Sequence, residues 1–332
     1  MIGKESVLLI DVDSHIPNVA LMRLYEYYSS LGWNVDFKRL GLSIYDKNQT
    51  LVEIDNSGYC LTFASTIFRG TIDRVCFKSI SNLDVGGTGS RNIQKHLPCD
   101  VERCQCNYSM YPDCDTSVGF ISRGCIRDCE FCIVRQKEGN LVQVDTIDNI
   151  VKHKRVKFLD NNFLALPNHI ALMQELIDKK IKCQFNQGLD IRLVTEENAN
   201  MLSKLNYMGE YIFAFDSLTL KQVVELKLKT LKKYIPKEWK IKFFIYCHPR
   251  LSIPNDVYFR ILWCKENKVL PYLMRHEDCW KSKDKRTYND FSAWCNQPGI
   301  FKSHTYEQFC RKRRPQLNRA DVFPVWYTEM VA

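Results

Sequence analysis

The stretch Ser122-Arg-Gly-Cys-Ile-Arg-Asp-Cys-Glu-Phe-Cys132 holds three cysteines in the spacing CxxxCxxC. An iron–sulfur cluster normally takes four cysteine thiolates. Cys125, Cys129 and Cys132 can bind three irons of a four-iron four-sulfur cluster and leave the fourth iron open for another ligand. A structural zinc site needs a closed set of four cysteines or histidines, and no second CxxC pair and no HxxxH follows. The spacing therefore predicts a cluster with one open iron; three unrelated buried thiols are the alternative.

Composition and charge restrict the class of protein. The 332 residues are 45% hydrophobic and 12% aromatic, which supplies a packed core and argues against disorder. The apolar run Val7–Ile10 ends at once in Asp11 and is too short for a signal peptide, and no stretch approaches the length of a membrane span. We expect a cytoplasmic protein with no membrane partner and reduced thiols. The net charge of +9 fits a nucleic-acid partner and fits a soluble surface equally well.

The first 95 residues have the pattern of a small Rossmann-like α/β domain. Val7–Asp11 is a short apolar run that ends in an acid, as a buried parallel strand does. Pro17 suits a first helical turn, apolar residues follow at helical spacing through 19–31, and Gly32 suits the position after a helix. Further strands are predicted at 34–38, 60–64 and 83–85.

Residues 96–116 read as a linker that is rich in cysteine. Its four thiols have a spacing that matches no zinc or cluster rule: Cys99, Cys104, Cys106 and Cys114. Two interpretations of this segment remain open: partly buried structural thiols, and a second metal site.

From residue 117 to 285 strand-like and helix-like segments alternate. The predicted strands are 117–121, 156–160, 182–187, 211–216, 241–247 and 270–274. Such alternation predicts parallel βα units. Residues 286–332 form a basic C-terminal extension whose densest patch, Arg311–Arg314, is either a solvated tail or a phosphate-binding site.

Phe131, directly before Cys132, completes the motif CxxxCxΦC. This motif resembles that of the radical S-adenosylmethionine (radical SAM) superfamily, and the six strands resemble its partial (β/α)6 barrel over residues 117–280. The opening VLLIDVDSHIPNVALMRLYEYYSSLGWNV resembles the class that carries a cobalamin-binding-like domain in front. The resemblance implies an α/β fold, a partial (β/α)6 radical SAM barrel preceded by a small Rossmann-like domain.

The cobalamin histidine motif of that class is missing. It reads DxHxxG, whereas Asp13-Ser-His15-Ile-Pro-Asn18 lacks the glycine and follows the first strand. We interpret His15 as a loop residue. The resemblance leaves cobalamin open, but the sequence does not predict it.

The resemblance also implies cofactors and a reaction. A four-iron four-sulfur cluster on Cys125, Cys129 and Cys132 would bind S-adenosylmethionine and cleave it reductively to a 5′-deoxyadenosyl radical, which abstracts hydrogen from a substrate. A flavodoxin- or ferredoxin-like protein would supply the electron. Charge and aromatic content favour a nucleic acid or nucleotide as the unidentified substrate. The alternative from another class is a non-catalytic metal-binding module that docks on nucleic acid.

The same resemblance nominates residues beside the cofactor. The expected cofactor-binding residues are Phe131, Asp160, Asn161, Asn162, Gln187, Asp190, Arg192 and Asp216. Phe131 would lie near the adenine, and Arg192 would meet the SAM carboxylate or form a structural pair with Asp190. No catalytic residue is assigned; the candidates at the last two strand ends are Cys247, His248, His276 and Glu277.

Overall fold

The structure, a computed structural model, describes residues 5–46 and 48–330. It divides into two compact units, residues 1–159 and 160–332. The predicted domain ranges 1–95, 96–116, 117–285 and 286–332 remain predictions, and their residues 1–4, 47, 331 and 332 lie outside the described residues. No helix in the described ranges is long and apolar enough to cross a lipid bilayer.

Unit 1, residues 1–159, contains ten strands and four α-helices within its described residues. The strands are β1 Ser6–Asp11, β2 Asn34–Arg39, β3 Val52–Ile54, β4 Leu61–Ser65, β5 Val75–Phe77, β6 Leu83–Gly86, β7 Ser117–Gly119, β8 Ser122–Arg123, β9 Val142–Gln143 and β10 Arg155–Phe158. The helices are α1 Val19–Ser30, α2 Cys99–Glu102, α3 Val134–Glu138 and α4 Ile147–Ile150.

The front of unit 1 is a parallel sheet in the order β2-β1-β4-β6. Val7 and Leu9 on β1 are fully buried and pack with Leu21 and Met22 of α1, because the apolar faces of strand and helix meet. Gly32 follows α1 with φ +79°, as predicted for the residue that ends this helix. The strand–helix–strand prediction is confirmed, and exposed His15 lies in the loop between β1 and α1.

A buried acid organises the loop after β4. The carboxylate of Asp13 accepts hydrogen bonds from the backbone N–H groups of Ile67, at 2.7 Å, and Phe68, at 3.0 Å, and from the Thr71 hydroxyl. Asp13 is 1% exposed. It therefore fixes the turn at the carboxyl edge of this sheet.

Unit 2, residues 160–332, contains five strands and nine α-helices in the part of the chain that is described. The strands are β11 Lys182–Phe185, β12 Asn206–Tyr207, β13 Tyr211–Ala214, β14 Ile241–Cys247 and β15 Leu270–Arg275. The helices are α5 His169–Asp178, α6 Glu196–Lys204, α7 Lys221–Tyr234, α8 Phe259–Glu266, α9 Lys285–Cys295, α10 Pro298–Ser303, α11 Tyr306–Arg313, α12 Arg319–Val322 and α13 Val325–Met330.

The six strands predicted for residues 117–285 are all present, as β7, β10, β11, β13, β14 and β15. In unit 1, β10 pairs with β7 in parallel. In unit 2, β13, β14 and β15 form a parallel sheet, β11 pairs with β12, and a parallel bridge joins Leu189 to Phe213. The mixed α/β class with parallel sheets is thus confirmed, and the partial barrel remains a prediction.

The helix boundaries follow from their caps. Thr195 and Asn198 form a reciprocal capping box that begins α6, where two orphan N–H groups would otherwise lack acceptors. A π-helix at Ile253–Tyr258 precedes α8. Such insertions are frequent at functional sites.

Candidate active site

The cysteine loop is held closed at its base. β8 and β9 pair antiparallel on its two sides, Ser122 with Gln143 and Arg123 with Val142. The Cys125 N–H donates to the Gly139 carbonyl at 3.3 Å, and the Gly124 N–H donates to the Glu138 carboxylate at 3.1 Å. The three cysteines therefore lie on one loop whose two ends are held together by hydrogen bonds.

Gly124 is the position where this closure is tightest. Its φ is +76°, and a Cβ added there would lie 2.1 Å from the Asn140 carbonyl oxygen. Glycine alone reaches such a backbone without steric cost. The Arg-Gly that precedes the first predicted ligand is therefore required by geometry at this turn.

The chemistry of the loop fits a thiolate-bound cluster. The backbone N–H of Arg127 donates to Cys125 Sγ at 3.3 Å, and a donor to sulfur stabilises a negative charge there. Arg135 donates to the Cys125 carbonyl at 3.1 Å, and the Arg123 guanidinium stacks 3.6 Å above the Phe120 ring. Cys125 and Cys129 are half-buried and Cys132 is exposed, so the loop is open to an incoming cluster.

Phe131 is 39% exposed. An apolar ring with this much exposure suits contact with a bound aromatic group, and its predicted place near the adenine remains a prediction.

The linker cysteines occupy separate environments. The Cys104 thiol donates to the Asp100 carbonyl at 3.3 Å, and the Cys114 thiol donates to the Thr116 carbonyl at 3.1 Å. Cys106 is buried beside Met110 and Tyr111, and burial raises the pKa of its thiol to about 11. Cys99 is exposed at the start of α2. These environments favour structural thiols over a second metal site.

Two predicted cofactor residues of unit 2 bind each other. Arg192 Nε donates to Asp190 Oδ1 at 2.6 Å and Arg192 Nη2 donates to Asp190 Oδ2 at 3.0 Å. Asn162 Nδ2 reaches Asp190 Oδ2 at 3.5 Å. The structural Asp190–Arg192 pair, which the sequence left open, is therefore present, and it places Asn162 in the same polar group.

Asp216 follows β13 and belongs to the neighbouring strand end. Its Oδ1 accepts the Tyr246 N–H at 3.2 Å. Burial raises the pKa of Asp216 to about 6, and the positive charges of Arg260 and Arg192 oppose this rise. A carboxyl with a pKa near neutrality can take up or release a proton.

Arg260, which the sequence analysis did not single out, lies fully buried behind these strand ends. Its Nη1 donates to the Phe215 carbonyl at 2.7 Å and its Nη2 to the Tyr246 carbonyl at 2.9 Å. Its Nε donates to Asp256 Oδ1 at 2.8 Å. The guanidinium thus fixes the ends of β13 and β14 beside Asp216. No local sequence pattern distinguishes this arginine, because its two carbonyl partners lie outside α8.

Two catalytic candidates come together with an acid that the sequence missed. His248 Nε2 and His276 Nδ1 lie 3.2 and 3.3 Å from Asp278 Oδ2. One ligand atom of each residue falls within 4.8 Å of the others, as a divalent metal ion would require. Both His Nδ1 atoms also accept backbone N–H groups, from Arg250 at 3.1 Å and Asp278 at 3.3 Å. In a neutral His248 ring this leaves Nε2 as the N–H that donates to Asp278, so the geometry suits a hydrogen-bonded His248–Asp278 pair at least as well as a metal site.

The remaining candidates differ in access. Cys247 is fully buried, and its hydrogen bond with Cys279 Sγ, at 4.0 Å, and burial raise the pKa of its thiol. Glu277 is exposed, as is Gln187 in the turn after β11. Asp160 is 1% exposed and Asn161 is half-buried. The roles of these residues remain predictions.

Comparison with known proteins gives a distant likeness. No family model and no curated protein matches the chain. One similar solved structure is the cobalamin-dependent S-adenosylmethionine radical enzyme OxsB with aqua-cobalamin bound, at 12% identity and a TM-score of 0.49. The match covers 97% of this chain and 63% of that chain, so the chain spans less than two thirds of its length. Identity and TM-score at this level assign no function, and the assignment depends on the chain's own residues.

Proposed function

We propose that the protein is a radical SAM enzyme. The observation that carries the proposal is the closed loop with Cys125, Cys129 and Cys132 in the CxxxCxΦC spacing. When bound there, a four-iron four-sulfur cluster supplies one electron, which cleaves SAM into methionine and a 5′-deoxyadenosyl radical that takes a hydrogen atom from the substrate. In such enzymes the cofactor performs the bond cleavage and the protein supplies ligation and orientation.

The chain's residues take these supporting roles. The three thiolates hold three irons, and the Arg127 N–H stabilises the charge on Cys125. We assign the polar strand ends of unit 2, Asp190, Arg192 and Asp216, to SAM and substrate contacts. We assign the hydrogen-bonded pair of His248 and Asp278 to the substrate side, where the Asp278 carboxylate offers an acceptor. A flavodoxin- or ferredoxin-like protein would deliver the electron, and a nucleic acid or nucleotide is the proposed substrate.

The test is an anaerobic reconstitution with iron and sulfide, followed by SAM and dithionite. The proposal expects about four irons per chain, as one cluster requires, and 5′-deoxyadenosine by mass spectrometry. Because His248, His276 and Asp278 could retain iron, iron is also counted on Cys129→Ala. That variant should lose cluster iron and deoxyadenosine together, whereas Cys104→Ala should keep both.

The competing function is a metal-binding module without catalysis. It predicts tightly bound zinc, no iron and no deoxyadenosine on the same sample. A Cys129→Ala protein that cleaves SAM as fast as the parent would contradict the radical SAM proposal outright.

A further inference from the structure

A basic cleft lies in unit 2 among the helices that follow β15. Its cavity volume is about 410 Å³, and its lining consists of Lys283, Lys285, Arg286, Asn289, Asp290, Arg313 and Arg314. Five of these seven side chains are cationic and one is a carboxylate. The cleft contains two arginines of the basic segment Arg311–Arg314, so this segment is more than a solvated tail.

The single carboxylate does not neutralise the cleft. Asp290 is 2% exposed and accepts two hydrogen bonds from Arg314 Nη2, at 2.7 and 2.9 Å. Arg313 Nε approaches the same carboxylate at 4.0 Å. One negative charge is thus shared by two arginines, while Lys283 and Lys285 also line the cleft and add two positive charges.

Two further features prepare the cleft for an anion. Arg286 Nη2 donates to the backbone carbonyls of Asp321 and, at 2.9 Å, Val322, which position its guanidinium without cancelling its charge. Arg314 Nη1 is buried and has no hydrogen-bond partner among the described residues. A buried charged donor without an acceptor is costly. The Arg314 side chain is 17% exposed, and after a small shift of its guanidinium a phosphate oxygen would supply that acceptor.

A stacking surface is linked to the cleft through Asn289. The Oδ1 of this lining residue accepts a hydrogen bond from Arg275 Nη1 at 2.6 Å. The Arg275 guanidinium lies 4.0 Å from the centre of the Trp280 ring, and Trp280 is 42% exposed. Cationic grooves beside exposed aromatic rings bind the backbone and bases of single strands.

We infer that this cleft binds the phosphate groups of a single polynucleotide strand, with Trp280 beside it as a base-stacking surface. The inference depends on the proposed function only for making that strand the enzyme's substrate; the binding itself needs no cluster. A free phosphate ion could share the contacts to the cationic side chains, but it would gain nothing from Trp280.

The test measures binding to a fluorescent oligonucleotide of about ten nucleotides, within the size range of single-strand sites, as a function of salt. Lys283→Ala/Lys285→Ala is compared with Lys204→Ala/Lys229→Ala, which removes the same charge from exposed lysines of α6 and α7, outside the cleft lining. The cleft variant should lose about tenfold in affinity and lower the salt slope by about 1.4, about 0.7 for each phosphate contact to a single strand. The control should change less than about twofold, the level expected for general screening of distant charges.

Further arms separate the sources of phosphate. Trp280→Ala should weaken the oligonucleotide by about fivefold or more, as loss of a stacked base does, and leave inorganic phosphate binding unchanged. Equal affinity for inorganic phosphate, a nucleoside monophosphate and the oligonucleotide would overturn the strand assignment. Equal losses in the two lysine variants, or no binding by the parent protein, would overturn the cleft itself. Thermal melting verifies that each variant is folded.

The same samples keep this inference distinct from the enzyme proposal. Deoxyadenosine formation without any oligonucleotide tests the cluster alone. If that signal is present and oligonucleotide binding is absent, the cleft inference fails and the radical SAM proposal stands. If binding is present and deoxyadenosine is absent, the reverse holds.

Discussion

Asp216 accepts the backbone N–H of Tyr246 at 3.2 Å, so a carboxylate after one strand holds the end of the next. The bond is made in a partly buried site, and desolvation raises the pKa of Asp216 to about 6. The polar edge of unit 2 is therefore tied together by a group that titrates close to neutrality.

The first prediction concerns pH and stability. The folded pKa of Asp216 lies above its ordinary value of 3.8, so its contribution to stability is complete below about pH 4 and is lost as the pH rises through about 6. Asp216→Asn removes this loss. The free energy of unfolding of the variant, relative to the parent, should rise by about 2 to 3 kcal/mol between about pH 4 and pH 7.5, measured by urea denaturation.

Asp55→Asn is the control with the opposite sign. The hydrogen bond from Lys78 lowers the pKa of Asp55, so this variant should lose stability relative to the parent as the pH rises through the acid range. An Asp216→Asn curve parallel to that of the parent at all pH values would contradict the prediction.

The second prediction concerns the buried Arg260. Its removal leaves the carbonyls of Phe215 and Tyr246 without donors and Asp256 without its partner. Arg260→Ala should lower the free energy of unfolding by about 3 to 5 kcal/mol, as breaking a buried charged network does. Arg311→Ala, which breaks an exposed pair with Glu307, should cost less than about 1 kcal/mol. Similar losses of unfolding free energy in both variants would show that the buried contacts of Arg260 stabilise the fold no more than the exposed pair does.

The third prediction compares two glycines of the cysteine loop. Gly124 and Gly139 have φ values of +76° and +74°, but only at Gly124 would a Cβ meet backbone, the Asn140 carbonyl. Gly124→Ala should open the loop and reduce both iron loading and deoxyadenosine yield. Gly139→Ala meets no neighbouring atom, but its φ of +74° and ψ of −144° are a backbone that glycine favours. This variant should cost about 1 to 3 kcal/mol of stability and keep full iron loading. The measurement is the iron content per chain after reconstitution. Normal iron loading in Gly124→Ala would contradict this prediction.

The fourth prediction concerns Arg192. The guanidinium donors Nε and Nη2 of Arg192 already hold the Asp190 carboxylate. A lysine keeps the positive charge but loses this paired geometry, so it releases Asp190 from its position at the proposed SAM contact. Arg192→Lys should raise the KM for SAM by about tenfold with little change in kcat, the pattern of lost ground-state binding. Arg155→Lys, in an exposed pair with Asp115, should leave KM unaltered. An unchanged KM in Arg192→Lys would assign this arginine to structure alone.

The sequence predicts the elements that depend on local pattern. The apolar runs that form β1, β13 and β14 can be recognised as strands because each alternates with a helical segment. Gly32 and Thr195 mark helix boundaries for the same local reason, a positive φ in one case and a cap in the other.

The roles of residues that depend on partners distant in the sequence cannot be predicted from local pattern. Arg260 is a charged residue that pattern alone would leave in solvent, and only the carbonyls of Phe215 and Tyr246 explain its burial. Asp278 can be recognised as part of this site only in the folded structure, where the ends of β14 and β15 place His248 and His276 beside it. Both histidines were candidates because they follow predicted strands, whereas no sequence pattern marked Asp278.

The closed base of the cysteine loop separates folding from metallation. The β8–β9 pairing and the bond from Gly124 to Glu138 use no cysteine side chain, unlike a zinc finger, which unfolds without its ion. If the proposed cluster binds this loop, chains made in iron-poor cells should therefore accumulate as folded apoprotein with the loop already closed. A cluster-carrier protein could then load them after synthesis, and oxidised clusters could be replaced without remaking the protein.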